Sequence, residues 1–261
     1  LWTRWTEADD LNRIPLACRA LLVQDEERNI LFETGIGSFF PPKMKERFGV
    51  VEDEHILLQS LEKIGLAPKD IDIVVLSHMH FDHAGGLLKG YEEGKELELA
   101  FDQCDYLVGR GAWERACAPH PRDRASFIPE LVELLQATGR LHVVDGDTHE
   151  LLGPDYRFHI SDGHTPGMML TEINMPDGPV VFAADLIPGA AWVHLPLSMG
   201  YDRFPERLID EKRELLEGLL HRKGRLYFTH DPIYAMGRVH RNDKGRFEAI
   251  ECQAEIAELN A

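Results

Sequence analysis

Residues 76–86 read L-S-H-M-H-F-D-H-A-G-G and place His78, His80, Asp82 and His83 within six positions, directly after the apolar run "IDIVVLS". Imidazole nitrogen and carboxylate oxygen are the donors that divalent metal ions take from proteins. In an extended segment alternate side chains point the same way, so His78 and His80 can face one ion. Asp82 and His83 then face elsewhere, at a turn where Gly85 and Gly86 let the backbone pass close by, and can serve a second ion. A lone buried histidine usually only finds a hydrogen bond, whereas four ligand-type residues in six positions make a metal site the stronger reading. With no thiolate among the donors, Zn is the expected metal, and Fe, Mn or Co also suit the set.

Four ligands cannot saturate two ions, so others must come from farther along the chain. Three candidates stand at strand ends or in loops: His164 in "SDGHTPGMM", Asp185 in "VVFAADLIPG" and His230 in "LYFTHDP". The Gly and Pro residues around His164 fix a tight turn that displays it. Asp185 follows a wholly apolar run, an expensive place for a carboxylate without a cation.

The order H-x-H-x-D-H, then G-H-T-P-G, then an Asp after one apolar strand and a His after another, resembles the metallo-β-lactamase superfamily over residues 29–231. The resemblance implies an α/β fold, a four-layer αββα sandwich with the site along one edge. It also implies that His78, His80 and His164 bind a first divalent ion, that Asp82, His83 and His230 bind a second, and that Asp185 bridges them. The superfamily's usual Asp-Thr-Gly near the start stands here as Glu33-Thr34-Gly35, so Glu33 is expected to act behind the ligands rather than among them. Two ions about 3.5 to 4 Å apart can hold a bridging hydroxide and polarise a scissile carbonyl or phosphoryl oxygen. The expected activity is therefore that of a dinuclear hydrolase acting on a small ester-type molecule, with Asp82 and Asp185 as catalytic residues and Asp82 passing a proton to the leaving group.

The elements that position these residues follow from pattern. "CRALLVQ" and "NILFETG" read as a hairpin around "DEER", residues 52–66 as a surface helix and "IDIVVLS" as a buried strand. His55, in the first turn of that helix, reads as exposed. From about 104 to 184 strands alternate with the helical patterns "GAWERAC" and "IPELVELLQATG". A helix over 206–224, a strand over 225–229 and a last short αβ segment follow. Strands in both halves with helices after them suit two sheets covered by helices, in one domain over residues 1–261.

Composition narrows the partners. A net charge of -17 opposes a phosphate backbone, so a nucleic acid partner is not expected. No apolar run approaches bilayer length, which makes a cytoplasmic protein with no membrane partner the expectation. Cys18, Cys104, Cys117 and Cys252 show no C-x-x-C spacing and read as structural. The partner is expected to be a small-molecule substrate, and a homodimer is compatible with everything in the chain.

Within the superfamily, "SHMHFDHAGGL" with "GHTPG" is most similar to the lactonases and then to hydrolases of the methyl parathion type, which puts a lactone first and a phosphotriester or aryl ester second. Many such lactonases carry a Tyr three residues after the bridging Asp, where this chain has Pro188. A mononuclear iron persulfide dioxygenase is a further alternative, disfavoured by the full second set Asp82, His83 and His230. A metal-bound sensor without turnover is another. The loop "LIPGAAWVHLPLSMGYDRFPE" can line an apolar pocket, with His194 or Tyr201 as polar contacts, or Trp192, His194 and Tyr201 can simply pack it in place. Phe39, Phe40 and Phe48 in residues 35–49 can grip a substrate or form an oligomer contact. His120, Arg122 and Arg124 read as a helix connection held by surface ion pairs, with an anionic substrate group as the alternative.

Overall fold

The structure, a computed structural model, describes residues 5–25 and 28–256. They divide into two compact units, Ala20–Asp145 and a second made of the chain start to Arg19 with Gly146 onward.

The first unit is built on a five-stranded sheet of order β1-β2-β3-β4-β5, with β1 Leu21–Gln24, β2 Asn29–Phe32, β3 Ile73–Leu76, β4 Asp105–Gly109 and β5 Leu141–Val144. β1 and β2 form the expected antiparallel hairpin, and residues 26 and 27 of its turn lie outside the described residues. The remaining pairings are parallel. Parallel strands need crossovers, and helices supply them: α1 Pro42–Phe48, α2 Ile56–Lys63, the single turn α3 Phe81–Ala84, α4 Arg110–Cys117 and α5 Pro129–Ala137. β3 is buried at every position, as a central parallel strand covered on both faces must be. Val74, Leu76, Tyr106 and Val108 from one sheet face pack with Leu61 of α2, Trp113 of α4 and Leu131 and Leu135 of α5 in one apolar cluster. The rings of Phe39, Phe40 and Phe48 pack in a chain that Phe81 of α3 closes, Phe40 stacked on Phe48 and the other pairs tilted or edge-on, with Phe39 only 5% exposed.

The second unit carries a six-stranded sheet of order β11-β10-β9-β8-β7-β6. Its strands are β6 Tyr156–Ser161, β7 Met168–Ile173, β8 Val180–Phe182, β9 Arg225–Tyr227, β10 Met236–Arg241 and β11 Phe247–Gln253. Only β8 and β9 pair in parallel, and the crossover between them contains α6, Pro205–His221. Leu208, Lys212, Leu215, Leu216 and Leu219 form the buried face of α6 at helical spacing. The chain end corrects the expected αβ segment: β10 and β11 form an antiparallel hairpin instead. "RNDKG" supplies its turn, where Asn242 Oδ1 accepts from the amides of Lys244 and Arg246.

No helix among the described residues is long and apolar enough to cross a membrane.

Candidate metal centre

Each unit gathers its own share of the ligand-type residues. In Ala20–Asp145, β3 ends at Leu76 and delivers Ser77 and His78 to the sheet's edge, where His78 is fully buried. His78 Nε2 lies 3.0 Å from His80 Nδ1, and Ser77 Oγ lies 2.8 Å from His78 Nδ1. The donor atoms of His78 and His80, of His78 and His83, and of Asp82 and His83 each fall within 4.8 Å of one another. His78 and His80 stand together as their spacing suggested, but His83 also lies against His78, with ring centroids 4.1 Å apart; Asp82 and His83 ride on α3, where Asp82 keeps 28% of its side chain exposed and His83 none.

Behind these side chains stands Glu33, 1% exposed and at a left-handed φ of 64°. Its Oε1 accepts from the Ser77 amide at 2.6 Å, and its Oε2 lies 2.8 Å from His83 Nδ1. Thr34 donates both its amide and its hydroxyl to the His83 carbonyl, at 2.9 and 3.0 Å. The Glu in place of the usual Asp thus reaches the strand end and the ligand loop at once. His55 is corrected from exposed to buried: it caps α2 by accepting from the Leu58 amide, and its Nε2 bonds the Gly86 carbonyl at 3.0 Å. Burial pushes its pKa down, which fits a neutral imidazole donating to that carbonyl.

The second unit holds His164, Asp185 and His230, at most 4% exposed. The chain leaves β8 through Ala184, which takes a left-handed φ of 41° and so turns Asp185 out of the strand direction. One oxygen of Asp185 lies 3.2 Å from His164 Nε2, and the other lies 3.0 Å from His230 Nε2. The opposite nitrogen of each imidazole is also engaged: His164 Nδ1 bonds Asp202 Oδ1 at 2.9 Å, and His230 Nδ1 bonds the Ala17 carbonyl at 2.5 Å. A carboxylate or carbonyl can only accept, so these contacts make Nδ1 the protonated nitrogen and leave each Nε2 lone pair for an ion.

Asp202 gave no signal in the sequence, standing 38 residues from His164. Its second oxygen accepts from the Met199 amide, which anchors the loop before α6 to the metal-ligand candidate. Pro188, in the position where a Tyr was noted as usual, offers only its carbonyl, to the His230 amide at 2.8 Å. Tyr201 sets its ring edge-on to His164 with centroids 5.9 Å apart. Trp5, Ile14, Trp192, Leu197 and Met199 line a mostly apolar cavity of about 330 Å³. In residues 116–130 His120 Nδ1 accepts from the Arg122 amide, and Asp123 pairs with Arg115 on α4.

Lys212 holds this loop from below. It is fully buried on α6 and donates to the carbonyls of Trp192 at 3.1 Å and Leu197 at 2.5 Å. Burial lowers its pKa to about 8, against the opposing attraction of Asp202. The unfolded chain keeps that proton up to 10.5, so the folded state binds fewer protons between pH 8 and 10.5 and gains stability as pH rises through that window. Across it, wild type should gain on the order of 3 kcal/mol relative to Lys212→Met. Urea unfolding of both proteins at several pH values reads the difference; a gap that stays flat would refute the buried charge.

The donor set is one a cation fits. Imidazole nitrogens and carboxylate oxygens converge in each unit without a thiolate, the combination suited to Zn and its borderline neighbours. A carboxylate as buried as Asp185 is costly unless cationic charge accompanies it.

Comparison with known proteins gives the same answer. Residues 13–97 match the family model described as the metallo-beta-lactamase superfamily. An N-acyl homoserine lactonase of a Bacillus species is 26% identical over 246 residues, covering 85% of this chain and 83% of the relative. The N-acyl homoserine lactonase of Bacillus thuringiensis is 25% identical with the same coverage. Among solved structures, a probable metal-dependent hydrolase from Staphylococcus aureus superposes with a TM-score of 0.85 at 25% identity, over 99% of this chain and 89% of that one. AidC, a dizinc quorum-quenching lactonase, superposes with a TM-score of 0.70 at 25% identity, over 94% and 81%.

The chain has the α/β fold of these neighbours, and part of it matches the metallo-β-lactamase superfamily. It is a hydrolase, similar to lactonases and metal-dependent hydrolases.

Proposed function

We propose that the chain opens a lactone, an intramolecular ester, with two divalent metal ions, Zn first among them, as its cofactor. His78, His80 and His164 would hold one ion, Asp82, His83 and His230 the other, and Asp185 would bridge them. The observation that carries this reading is the arrangement of Asp185, whose two oxygens lie against the Nε2 atoms of two histidines that are each tied down through Nδ1. The order of the motifs and the lactonases among the relatives support it further. Two bound divalent ions supply a lowered pKa for a shared water and a polarised carbonyl oxygen.

The chain's own residues supply the rest. Asp185 is buried and braced, which suits a fixed ligand rather than a proton carrier. Asp82, the most exposed carboxylate of the set, is the one able to take a proton and hand it to the leaving alkoxide. The apolar cavity beside Met199 and Trp192 suits the hydrocarbon part of a substrate.

The test is turnover by protein reconstituted separately with Zn, Mn, Co and Fe on aliphatic lactones, aryl esters, phosphotriesters and β-lactams. Lactones should be hydrolysed fastest, and inactivity toward every lactone would sink the reading. Asp202→Ala should lower Zn affinity by about 10- to 100-fold, because the orienting acceptor of His164 is lost. A chelator competition measures this without any substrate, and an unchanged affinity would remove Asp202 from the site.

A further inference from the structure

The second unit contains a cavity of about 600 Å³ that the hydrolytic reading does not use. Three pieces of chain wall it: His194, Leu195 and Pro196 from the loop after Asp185, Arg213 and Glu217 from α6, and Arg241, Arg246 and Phe247 from the β10–β11 hairpin.

Its charge runs against that of the molecule. The chain carries -17 overall, yet three guanidiniums face this space against the single carboxylate of Glu217. Arg241 pairs with Glu217, and Arg213 pairs with Asp210 at 2.8 Å. Among the described residues no carboxylate pairs with Arg246. The imidazole of His194 senses the excess: burial first, then the charges of Arg246 and Lys212, push its pKa down.

The cavity is also shaped in advance. Arg241 lies over the Phe247 ring, 4.5 Å from its centroid, which confines the guanidinium plane. The Arg246 backbone is fixed on both sides, its amide donating to Asn242 Oδ1 and its carbonyl accepting from the Asn242 amide. Asn242 is itself held by Glu248. Leu195, Pro196 and Phe247 add apolar surface beside these donors. A bare inorganic anion would satisfy Arg246 and leave that surface wet, while a neutral apolar molecule would leave Arg246 without a counter-charge.

We propose that this cavity binds a small amphipathic organic anion, a carboxylate with a short hydrocarbon body, through Arg246, beside the paired Arg213 and Arg241, over Leu195, Pro196 and Phe247. The site is separate from the hydrolytic reading and does not depend on it.

Calorimetric titration of the metal-loaded chain with hexanoate, hexanol and inorganic phosphate tests this without turnover. Hexanoate should bind saturably and at least about tenfold more tightly than either of the others, since hexanol lacks the charge-assisted contact and phosphate lacks the hydrocarbon body that covers the apolar wall. Arg246→Ala, an exposed change, should weaken hexanoate about tenfold and leave the metal content intact. A carboxylate seated on the metal ions would ignore that substitution, so unchanged hexanoate binding by the variant overturns the proposal. Phosphate binding as tightly as hexanoate would overturn the apolar half of the assignment, and hexanol binding as tightly would overturn the anionic half.

Discussion

Asp185→Asn should abolish hydrolysis, lowering kcat/KM by about 10³-fold or more, and should lower the bound metal as well. The substitution preserves volume, so the fold around β8 has no reason to change. What it removes is the second anionic oxygen. In the wild type the two oxygens face His164 Nε2 at 3.2 Å and His230 Nε2 at 3.0 Å. An amide offers one acceptor and one NH₂ group, so one of those imidazoles would meet a donor where it now meets a carboxylate oxygen. Three readouts separate this from general damage. Elemental analysis should show metal lost from the variant. Zn added to chelated protein should raise the melting temperature of wild type through ligand linkage and do so far less for the variant. Lactone turnover should be gone. A variant that keeps its full metal content and full activity would contradict the central role given to Asp185.

The candidate ligand residues were legible in the sequence because a metal would constrain residue type and strand position together. His78 and His80 two apart, then Asp82 and His83 at a turn, leave few other chemical readings, and Asp185 after "VVFAA" is conspicuous because apolar strands rarely deliver a carboxylate. The groups that hold the ligands were not legible in the same way. Asp202 reaches His164 across 38 residues, and no local spacing encodes such a contact. Glu33 was marked by its position in E-T-G, yet its double contact with Ser77 and His83 depends on a positive φ that the residue type does not announce. Lys212 sits at a position where helical periodicity asks for an apolar residue, a mismatch that could have been noticed, and its explanation lies in two loop carbonyls far from it in sequence. His55 was misread because composition shows that a residue begins a helix but not which backbone passes beside it. The β10–β11 hairpin was misread although "NDKG" and the alternation in "GRVHR" carried its signal.

Gly86→Ala should cost about 3 kcal/mol or more of stability and weaken metal binding with it. A Cβ on Gly86 would stand 2.0 Å from the Thr34 carbonyl oxygen and 2.8 Å from its carbon, both backbone atoms that cannot swing aside. Nor can Gly86 itself retreat. Its amide donates to the Gly35 carbonyl at 2.9 Å, and its own carbonyl is bonded by His55 at 3.0 Å. Relief must therefore come from moving Thr34, which holds the His83 carbonyl through two hydrogen bonds and adjoins Glu33. The glycine that reads in sequence as room for a turn is thus a packing requirement for the loop of candidate metal ligands, and destabilisation and loss of metal affinity should appear together. Gly200→Ala is the control, since nothing lies within 4 Å of its added Cβ, and it should melt with wild type. Thermal melts of both variants with and without Zn decide the matter: a Gly86→Ala protein that melts like wild type and keeps its Zn-induced stabilisation would show that the loops are not as tightly apposed as described.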